Sequence, residues 1–196
     1  MVNKKDTSYP FFVIIYIGRV VIMRKGYVRL AYDGIQTDSI VDGAGIRAVI
    51  WFQGCPHHCK ECHNPETWDF NAGVEKSIAK VKKLIDGLEY QDGVTFSGGD
   101  PMSQIDALCE LAKYVKEKGL NVWTYTGYTW DEVIKLGDSN PKYLEALKYI
   151  DVLVDGRFMI DLKSFDVEFR GSSNQRIIDV AKSLKEGKVI KVEKYK

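Results

Sequence analysis

Three cysteines, Cys55, Cys59 and Cys62, lie within one short stretch of the chain. Their C-x3-C-x2-C spacing offers three thiolates from a single loop, and no obvious fourth ligand lies nearby. Thiolates are the usual ligands of iron–sulfur clusters, and a cubic cluster held at three corners leaves one iron open to another ligand. The spacing therefore predicts an iron–sulfur centre that performs chemistry and does not only carry electrons.

Two other kinds of site also use cysteines. A disulfide framework needs an oxidising compartment and is typical of short, cysteine-dense chains, whereas this chain has 4 cysteines in 196 residues. Zinc is the stronger rival, because it accepts three cysteines with one histidine, and His57, His58 and His63 lie beside the thiols. The fourth cysteine, Cys109, falls in a helical apolar pattern and is predicted to be a small buried hydrophobe.

The composition is that of an ordinary globular domain. Of the 196 residues, 45% are hydrophobic and 28% are charged, which is enough for one sizeable core. The 28 basic and 27 acidic residues give a formal net charge of +1, so we expect no nucleic-acid partner. In the tail, residues 188–196, lysines alternate with apolar residues, which predicts a solvated edge strand.

Residues 1–22 differ from the rest of the chain. Their apolar run is interrupted by Arg19 and is shorter than the roughly 20 residues that span a bilayer, so we expect no membrane association. Lys4 and Lys5 precede the run, as in a signal peptide, but no small-residue cleavage site follows. We interpret residues 1–22 as an extension ahead of a domain of residues 23–196, with Met23 as the functional start. A thiolate-bound cluster belongs in a reducing compartment, so the predicted location is cytoplasmic.

From Val28 onward, strand patterns alternate with helix patterns. Strands are predicted at residues 46–52, 94–96, 121–125 and 150–154. Helices are predicted at residues 78–88, 105–115, 130–136 and 142–148. This alternation favours an α/β fold with a parallel sheet, right-handed crossovers and helices outside. The units are too few for an eight-fold barrel, so the predicted architecture is an incomplete βα barrel.

Candidate ligand-binding residues follow the predicted strands, where the loops of such folds carry function. Gly98 and Gly99 let backbone approach a ligand closely, and Asp100 offers an acceptor for an ammonium, although by itself this stretch is only a turn. Arg157 follows the last predicted strand and can pair with a carboxylate, or on the surface with a neighbouring aspartate, Asp155 or Asp161. Thr126 lies between two tyrosines that either line a pocket or pack in the core.

The cysteine spacing and the glycine-rich turn resemble those of the radical S-adenosylmethionine enzymes. Residues 42–47 and 62–68, on either side of the cysteine loop, narrow the likeness to the glycyl-radical activating enzymes, although that family usually has proline at the position of Ala44. Residues 154–158 and 169–179 are similar to those of the activating enzymes that serve anaerobic ribonucleoside-triphosphate reductases. The resemblance covers roughly residues 26–180 and implies a partial βα barrel of the radical S-adenosylmethionine type.

The resemblance implies two cofactors, a 4Fe-4S cluster on Cys55, Cys59 and Cys62 and a bound S-adenosylmethionine. It implies no catalytic residue beyond the cluster and its ligands. The residues that it places around S-adenosylmethionine are Glu61, Cys62, His63, Gly98, Gly99, Asp100, Thr126 and Arg157.

The chemistry implied by the resemblance is the transfer of a radical to a protein. One electron from the reduced cluster cleaves S-adenosylmethionine into methionine and a 5′-deoxyadenosyl radical. That radical takes a hydrogen atom from one glycine of the large anaerobic ribonucleoside-triphosphate reductase, the implied protein partner. Flavodoxin or ferredoxin is the expected electron donor. The cofactors supply the hard chemistry and the protein positions them.

Three alternatives stay open at this point. The first alternative is an activase of pyruvate formate-lyase or of another glycyl-radical enzyme. The second is a radical enzyme that acts on a small molecule, and the third is a zinc-binding adaptor without catalysis. The stretch at residues 169–179 argues against the first. The metal content of the purified protein separates the last from the others.

Overall fold

The computed structural model describes residues 11–16 and 19–195, with side chains described from Arg24 onward. The strands are β1 (Phe11–Tyr16), β2 (Arg19–Arg24), β3 (Tyr27–Ser39), β4 (Arg47–Phe52), β5 (Val74–Ser77), β6 (Gly93–Gly98), β7 (Asn121–Tyr125), β8 (Val152–Asp155) and β9 (Arg176–Asp179). The helices are α1 (Ile78–Asp86), α2 (Ile105–Glu117), α3 (Trp130–Ser139), α4 (Lys142–Leu147) and α5 (Val180–Glu186). Short 3-10 turns occupy Pro65–Thr67, Pro101–Gln104, Ile160–Leu162 and Glu193–Tyr195.

Seven of these strands form one mixed sheet, in the order β5-β3-β4-β6-β7-β8-β9. Strands β4, β6, β7 and β8 run parallel, whereas β3, β5 and β9 pair antiparallel with their neighbours. In the described part of the chain the sheet ends at β5 and β9 and is not closed into a barrel. The fold is therefore a mixed α/β fold with an open sheet.

The four strands predicted from the sequence are parallel as expected, whereas the antiparallel strands β3, β5 and β9 were not predicted. A parallel neighbour needs a long crossover, usually a helix, to bring the chain back to the same end of the sheet. The connection from β8 to β9 contains only the 3-10 turn Ile160–Leu162, and only an irregular turn at residues 40–46 joins β3 to β4. Each of these connections therefore returns the chain in the opposite direction.

The predicted helices are confirmed, with ends that differ by a few residues. Helix α1 begins where the Ser77 hydroxyl accepts the Lys80 backbone N–H, and it turns the apolar residues Ile78, Val81 and Ile85 inward. Helix α3 begins with a reciprocal capping box between Thr129 and Glu132. No helix of the described residues is long and apolar enough to cross a bilayer.

Alternating residues of the strands pack into two hydrophobic cores, one on each face of the sheet. Val122, Leu153 and Ile178 lie in the large core with the apolar faces of the helices. Their neighbours Trp123, Val154 and Ile177 lie in a smaller core. Successive side chains of a strand point to opposite faces, so the two cores lie on opposite faces of the sheet. The helices pack on the face of the large core.

The two ends of the described chain lie outside the seven-stranded sheet. Strands β1 and β2 pair only with each other as a separate two-stranded sheet, while residues 1–10 and 17–18 lie outside the described residues. The tail was predicted to be an edge strand, and that prediction is wrong. The tail makes one isolated bridge, between Lys191 and Ile178, and ends in the 3-10 turn Glu193–Tyr195, because Val192 and Tyr195 pack on the smaller core.

Candidate iron–sulfur centre

The cysteine loop leaves the carboxyl end of β4 and is fastened to itself by backbone hydrogen bonds. Gly54 has φ +96, and its N–H donates to the Thr67 carbonyl at 2.8 Å. The Cys55 N–H donates to the Trp68 carbonyl at 3.1 Å. The buried Gln53 amide adds bonds to the carbonyls of Glu66 and Asp69. The loop that carries the three thiols is thus closed at its base.

All three thiols are free, and each sulfur accepts a backbone N–H. Cys55 is buried, with 8% of its surface exposed, whereas Cys59 and Cys62 are half-buried. The donors are the amides of His57 to Cys55, of Phe158 to Cys59 and of Asn64 to Cys62, the last at 3.4 Å. Hydrogen bonds to sulfur are among the features that set the potential of iron–sulfur clusters.

The protonation of these thiols also reflects their burial. Burial raises the pKa of the Cys55 thiol to about 12, and the nearby Asp100 carboxylate adds to the increase. Burial raises the pKa of Cys59 as well, against the opposing effects of the Phe158 N–H and the Arg157 charge. Without a metal, Cys55 is therefore a thiol at neutral pH. Metal binding deprotonates such a group.

The donor set fits an iron–sulfur cluster better than a zinc ion. His57 bonds to Asp100, the His58 ring packs on Trp68 at 4.7 Å, and the His63 ring packs on Phe158 at 4.7 Å. Each of the three histidine rings thus has a partner outside the three cysteines. Among the described residues, no three His, Cys, Asp or Glu side chains are gathered as a ready site for a single metal ion.

The glycine-rich turn follows the carboxyl end of β6, beside the base of the cysteine loop. Gly98 has φ +101, and a Cβ there would overlap the backbone of Phe52. A Cβ on Gly99 would lie 2.5 Å from the Gly54 carbonyl oxygen. The Gly99 N–H donates to the Phe52 carbonyl at 2.7 Å. Both glycines thus permit close approach to the protein's own β4 end, and their predicted contact with a ligand stays a prediction.

Asp100 is fully buried, and four protein groups donate to its carboxylate. Oδ1 accepts the Met102 N–H at 2.9 Å. Oδ2 accepts the Gly127 N–H at 3.0 Å and lies 2.6 Å from His57 Nε2. The Thr126 hydroxyl lies 3.0 and 2.9 Å from the two oxygens. The carboxylate predicted to accept an ammonium is therefore already surrounded by donors of this chain.

Thr126 and the two tyrosines beside it follow the carboxyl end of β7. Thr126 is buried, and its hydroxyl also accepts the Tyr128 N–H at 3.1 Å. The Tyr128 ring packs edge-on against His57 at 4.5 Å, and the Tyr125 hydroxyl donates to the Phe169 carbonyl at 3.0 Å. Both tyrosines are half-buried and contact other residues of the chain, and Tyr128 also lines a cavity. A contact of Thr126 with the adenosine stays a prediction.

Arg157 lies beside Cys59 but forms an ion pair with a residue that was not anticipated. Its Nη2 is 3.1 Å from Glu132 Oε1, and both side chains are more than two-fifths exposed. Asp155, one of the expected surface partners, pairs instead with Arg176. A partly exposed ion pair of this kind contributes little to stability, and the predicted pairing of Arg157 with a ligand carboxylate stays a prediction.

The remaining predicted contacts, Glu61 and His63, lie on the exposed side of the cysteine loop. Glu61 adopts a left-handed backbone conformation with φ +54.

Sequence reasoning missed the Phe158 amide as a donor to Cys59, and it considered His57 only as a metal ligand. A histidine two residues after Cys55 was the one available signal for the Asp100 contact. No sequence signal marks a backbone amide.

The loops after β4, β6, β7 and β8 thus meet at one end of the parallel strands, with three free thiols among them. A family model described as "4Fe-4S single cluster domain" matches residues 41–178, a span that contains all three cysteines. Together with this match, the fold and the site define the chain as a 4Fe-4S protein with a single cluster.

Curated relatives narrow the family further. The chain is 34% identical to the "Anaerobic ribonucleoside-triphosphate reductase-activating protein" of enterobacteria phage T4 over 152 residues, which is 74% of this chain and 92% of the relative. Proteins with the same name match from Escherichia coli (34% identity; 69% of this chain, 90% of the relative) and from Vibrio cholerae (37%; 70% and 90%). The chain belongs to the family of anaerobic ribonucleoside-triphosphate reductase-activating proteins.

Proposed function

We propose that this protein is a radical S-adenosylmethionine enzyme that places a glycyl radical on a large anaerobic ribonucleoside-triphosphate reductase. The observation that carries the proposal is the loop of three free thiols at the carboxyl end of β4, in a chain whose relatives are named for activating that reductase. When bound, the cluster and S-adenosylmethionine supply the electron and the radical that removes a hydrogen atom from glycine. In this proposal the radical transfer takes place in a reducing cytoplasm.

The residues of this chain have the task of binding and orienting those groups. Cys55, Cys59 and Cys62 hold the cluster, and the amide N–H groups that face their sulfurs stabilise thiolate charge. Arg157 meets the carboxylate of the methionine half, since its only ion-pair partner among the described residues is the exposed Glu132. Glu61 and His63 face the cofactor from the exposed side of the cysteine loop.

The architecture proposed for this activity is a partial βα barrel. Its support is the run of four parallel strands, whose carboxyl ends carry the cysteine loop, the glycine-rich turn, Thr126 and Arg157. The sheet is open at β5 and β9, and in this proposal a loop of another protein approaches the thiols from one open side. A flavodoxin or a ferredoxin delivers the electron.

The test is radical transfer between purified proteins. The full chain, loaded with iron and sulfide under anaerobic conditions, is mixed with S-adenosylmethionine, dithionite and the large reductase from the same cell. We expect a glycyl radical in the electron paramagnetic resonance spectrum. With reductase that carries deuterium at the α-carbon of glycine, we expect deuterium in the 5′-deoxyadenosine formed.

Controls separate the alternatives. Cys59→Ala, which lacks one cluster ligand, should yield neither radical nor 5′-deoxyadenosine. A radical that forms only on a formate-lyase would keep the chemistry and refute the partner. Modification of a small molecule without any protein substrate would refute the activase function, and purified protein with zinc in place of iron would refute the cluster.

A further inference from the structure

Asp100 lies where three loops meet, and its bonds join all three. Its N–H donates to the Gly54 carbonyl at 2.9 Å, at the base of the cysteine loop. Its side chain receives His57 from that same loop and Thr126 and Gly127 from the loop after β7. No other carboxylate among the described residues is 0% exposed.

The carboxylate has no room for a further donor. An ionised carboxylate offers about four lone-pair positions. Four groups of this chain already donate to it, namely the amides of Met102 and Gly127, the Thr126 hydroxyl and His57 Nε2. Because a carboxylate only accepts, His57 donates through Nε2.

His57 is held in this contact from several sides. Its side chain is 4% exposed, and its ring packs on Tyr128. A Cβ on Gly127 would overlap the His57 ring, so the glycine lets the two loops approach. The backbone N–H of His57 meanwhile donates to the Cys55 sulfur. One residue therefore connects a cluster thiol to the Asp100 carboxylate.

We propose that His57 and Asp100 form a positioning pair, which fixes the cysteine loop against the glycine-rich turn and the loop after β7 before any cofactor binds. Asp100 thus acts on S-adenosylmethionine through its neighbours and does not contact it. The identity of that ligand rests on the proposed function, whereas the pairing itself does not. Preorganised loops spare the binding step the entropy of ordering them.

The first measurement uses the protein without iron and needs no S-adenosylmethionine. Cys55 is 8% exposed in the paired arrangement. We expect iodoacetamide to alkylate it at least tenfold faster in His57→Leu and in Asp100→Asn, with His57→Gln close to the unaltered chain because glutamine keeps an N–H donor at similar reach. His58→Leu is the matched control, since His58 is exposed and packs on Trp68. Unchanged alkylation in both His57→Leu and Asp100→Asn would overturn the pairing.

The second measurement titrates S-adenosylmethionine into the iron-loaded variants and follows the paramagnetic resonance spectrum of the reduced cluster. We expect at least tenfold weaker binding in His57→Leu and in Asp100→Asn, recovery to within about threefold in His57→Gln, and no further loss in the double variant, because the two residues act as one unit. A tenfold loss in Asp100→Asn with unchanged affinity in His57→Leu would overturn the proposal and make Asp100 a direct contact. If the unaltered chain binds no S-adenosylmethionine, the proposed function fails, while the alkylation result still decides the pairing.

Discussion

The four cysteines of this chain occupy two different environments. Cys55, Cys59 and Cys62 lie in one loop, and each of their sulfurs accepts a backbone N–H. Cys109 is 3% exposed within α2, among the apolar residues of the large core. Burial raises the pKa of the Cys109 thiol to about 11, so it is a protonated packing residue at neutral pH.

Replacing any one of the three loop cysteines with alanine should abolish cluster binding, because each sulfur is a proposed ligand and no replacement thiol lies nearby. Cys109→Ala should keep full iron and sulfide and lose only about 1 kcal/mol of stability, the usual cost of a small cavity. Iron and sulfide counted per chain after anaerobic reconstitution checks both. Full iron content in Cys59→Ala would show that the cluster assignment is wrong.

Arg47, the first residue of β4, links its own strand to the neighbouring strands β6 and β7. It is 1% exposed, and its guanidinium donates to the Thr95 hydroxyl of β6 and to the side-chain and backbone oxygens of Asn121 in β7. It also donates to the Val94 carbonyl at 2.8 Å. Burial without a paired carboxylate lowers the pKa of Arg47 to about 10, so it still carries its charge at neutral pH.

Arg47→Met should lower the free energy of unfolding by roughly 2 to 4 kcal/mol, because it leaves buried oxygens of β6 and β7 without donors. Chemical denaturation of the iron-free protein measures the change. Arg29→Met is the matched control, with an expected loss below about 1 kcal/mol, because Arg29 donates to the more accessible carbonyls of Asn71 and Ala72. Equal stability of the two variants would contradict this role.

The β1–β2 hairpin is the one two-stranded element outside the main sheet in the described chain. Arg24 is the one residue of this element whose side chain is described, and it pairs with Glu75 of β5 at 3.8 Å and lies 4.0 Å from the Tyr27 ring centre. Exposed ion pairs of this kind contribute little.

Deleting residues 1–22 should therefore leave cluster content and S-adenosylmethionine cleavage unchanged. Iron counting and detection of 5′-deoxyadenosine in the shortened protein test this expectation. A shortened protein that is insoluble, or that loads no iron, would show that the segment belongs to the core.

Over the whole molecule, the C-terminal tail completes the smaller core. The Tyr195 ring lies 5.2 Å from Phe169 and 6.0 Å from Trp123, and the Val192 N–H donates to the Ile177 carbonyl. Arg170 donates to the Tyr195 carbonyl at 3.1 Å. The end of the chain thus supports the long connection between β8 and β9.

Tyr195→Ala should lower the free energy of unfolding by about 1 to 3 kcal/mol, since it removes an aromatic ring from that core. We also expect tryptophan emission to shift to longer wavelength, because Trp123 becomes more exposed. Denaturation and fluorescence test both, with the exposed Lys188→Ala as the control. A Tyr195 variant as stable as the Lys188 variant would show that the tail does not stabilise this core.

The sequence by itself determined the features that depend on neighbours a few residues apart. The spacing of Cys55, Cys59 and Cys62 predicted the cluster that the family model supports. Helical and strand periodicity located the four central strands and α1 to α4, because each pattern repeats within a few residues along one element. Likewise, the glycines at 98 and 99 marked the turn after β6.

Only the tertiary structure decided which distant groups meet. The antiparallel partners β3, β5 and β9 depend on how connections return the chain, which no strand pattern encodes. His57 meets Asp100 43 residues further along the chain, and Arg157 meets Glu132 25 residues back. The physical reason is that such contacts arise from sheet order and from the close packing of loops, which fix distances between residues that have no fixed spacing in sequence.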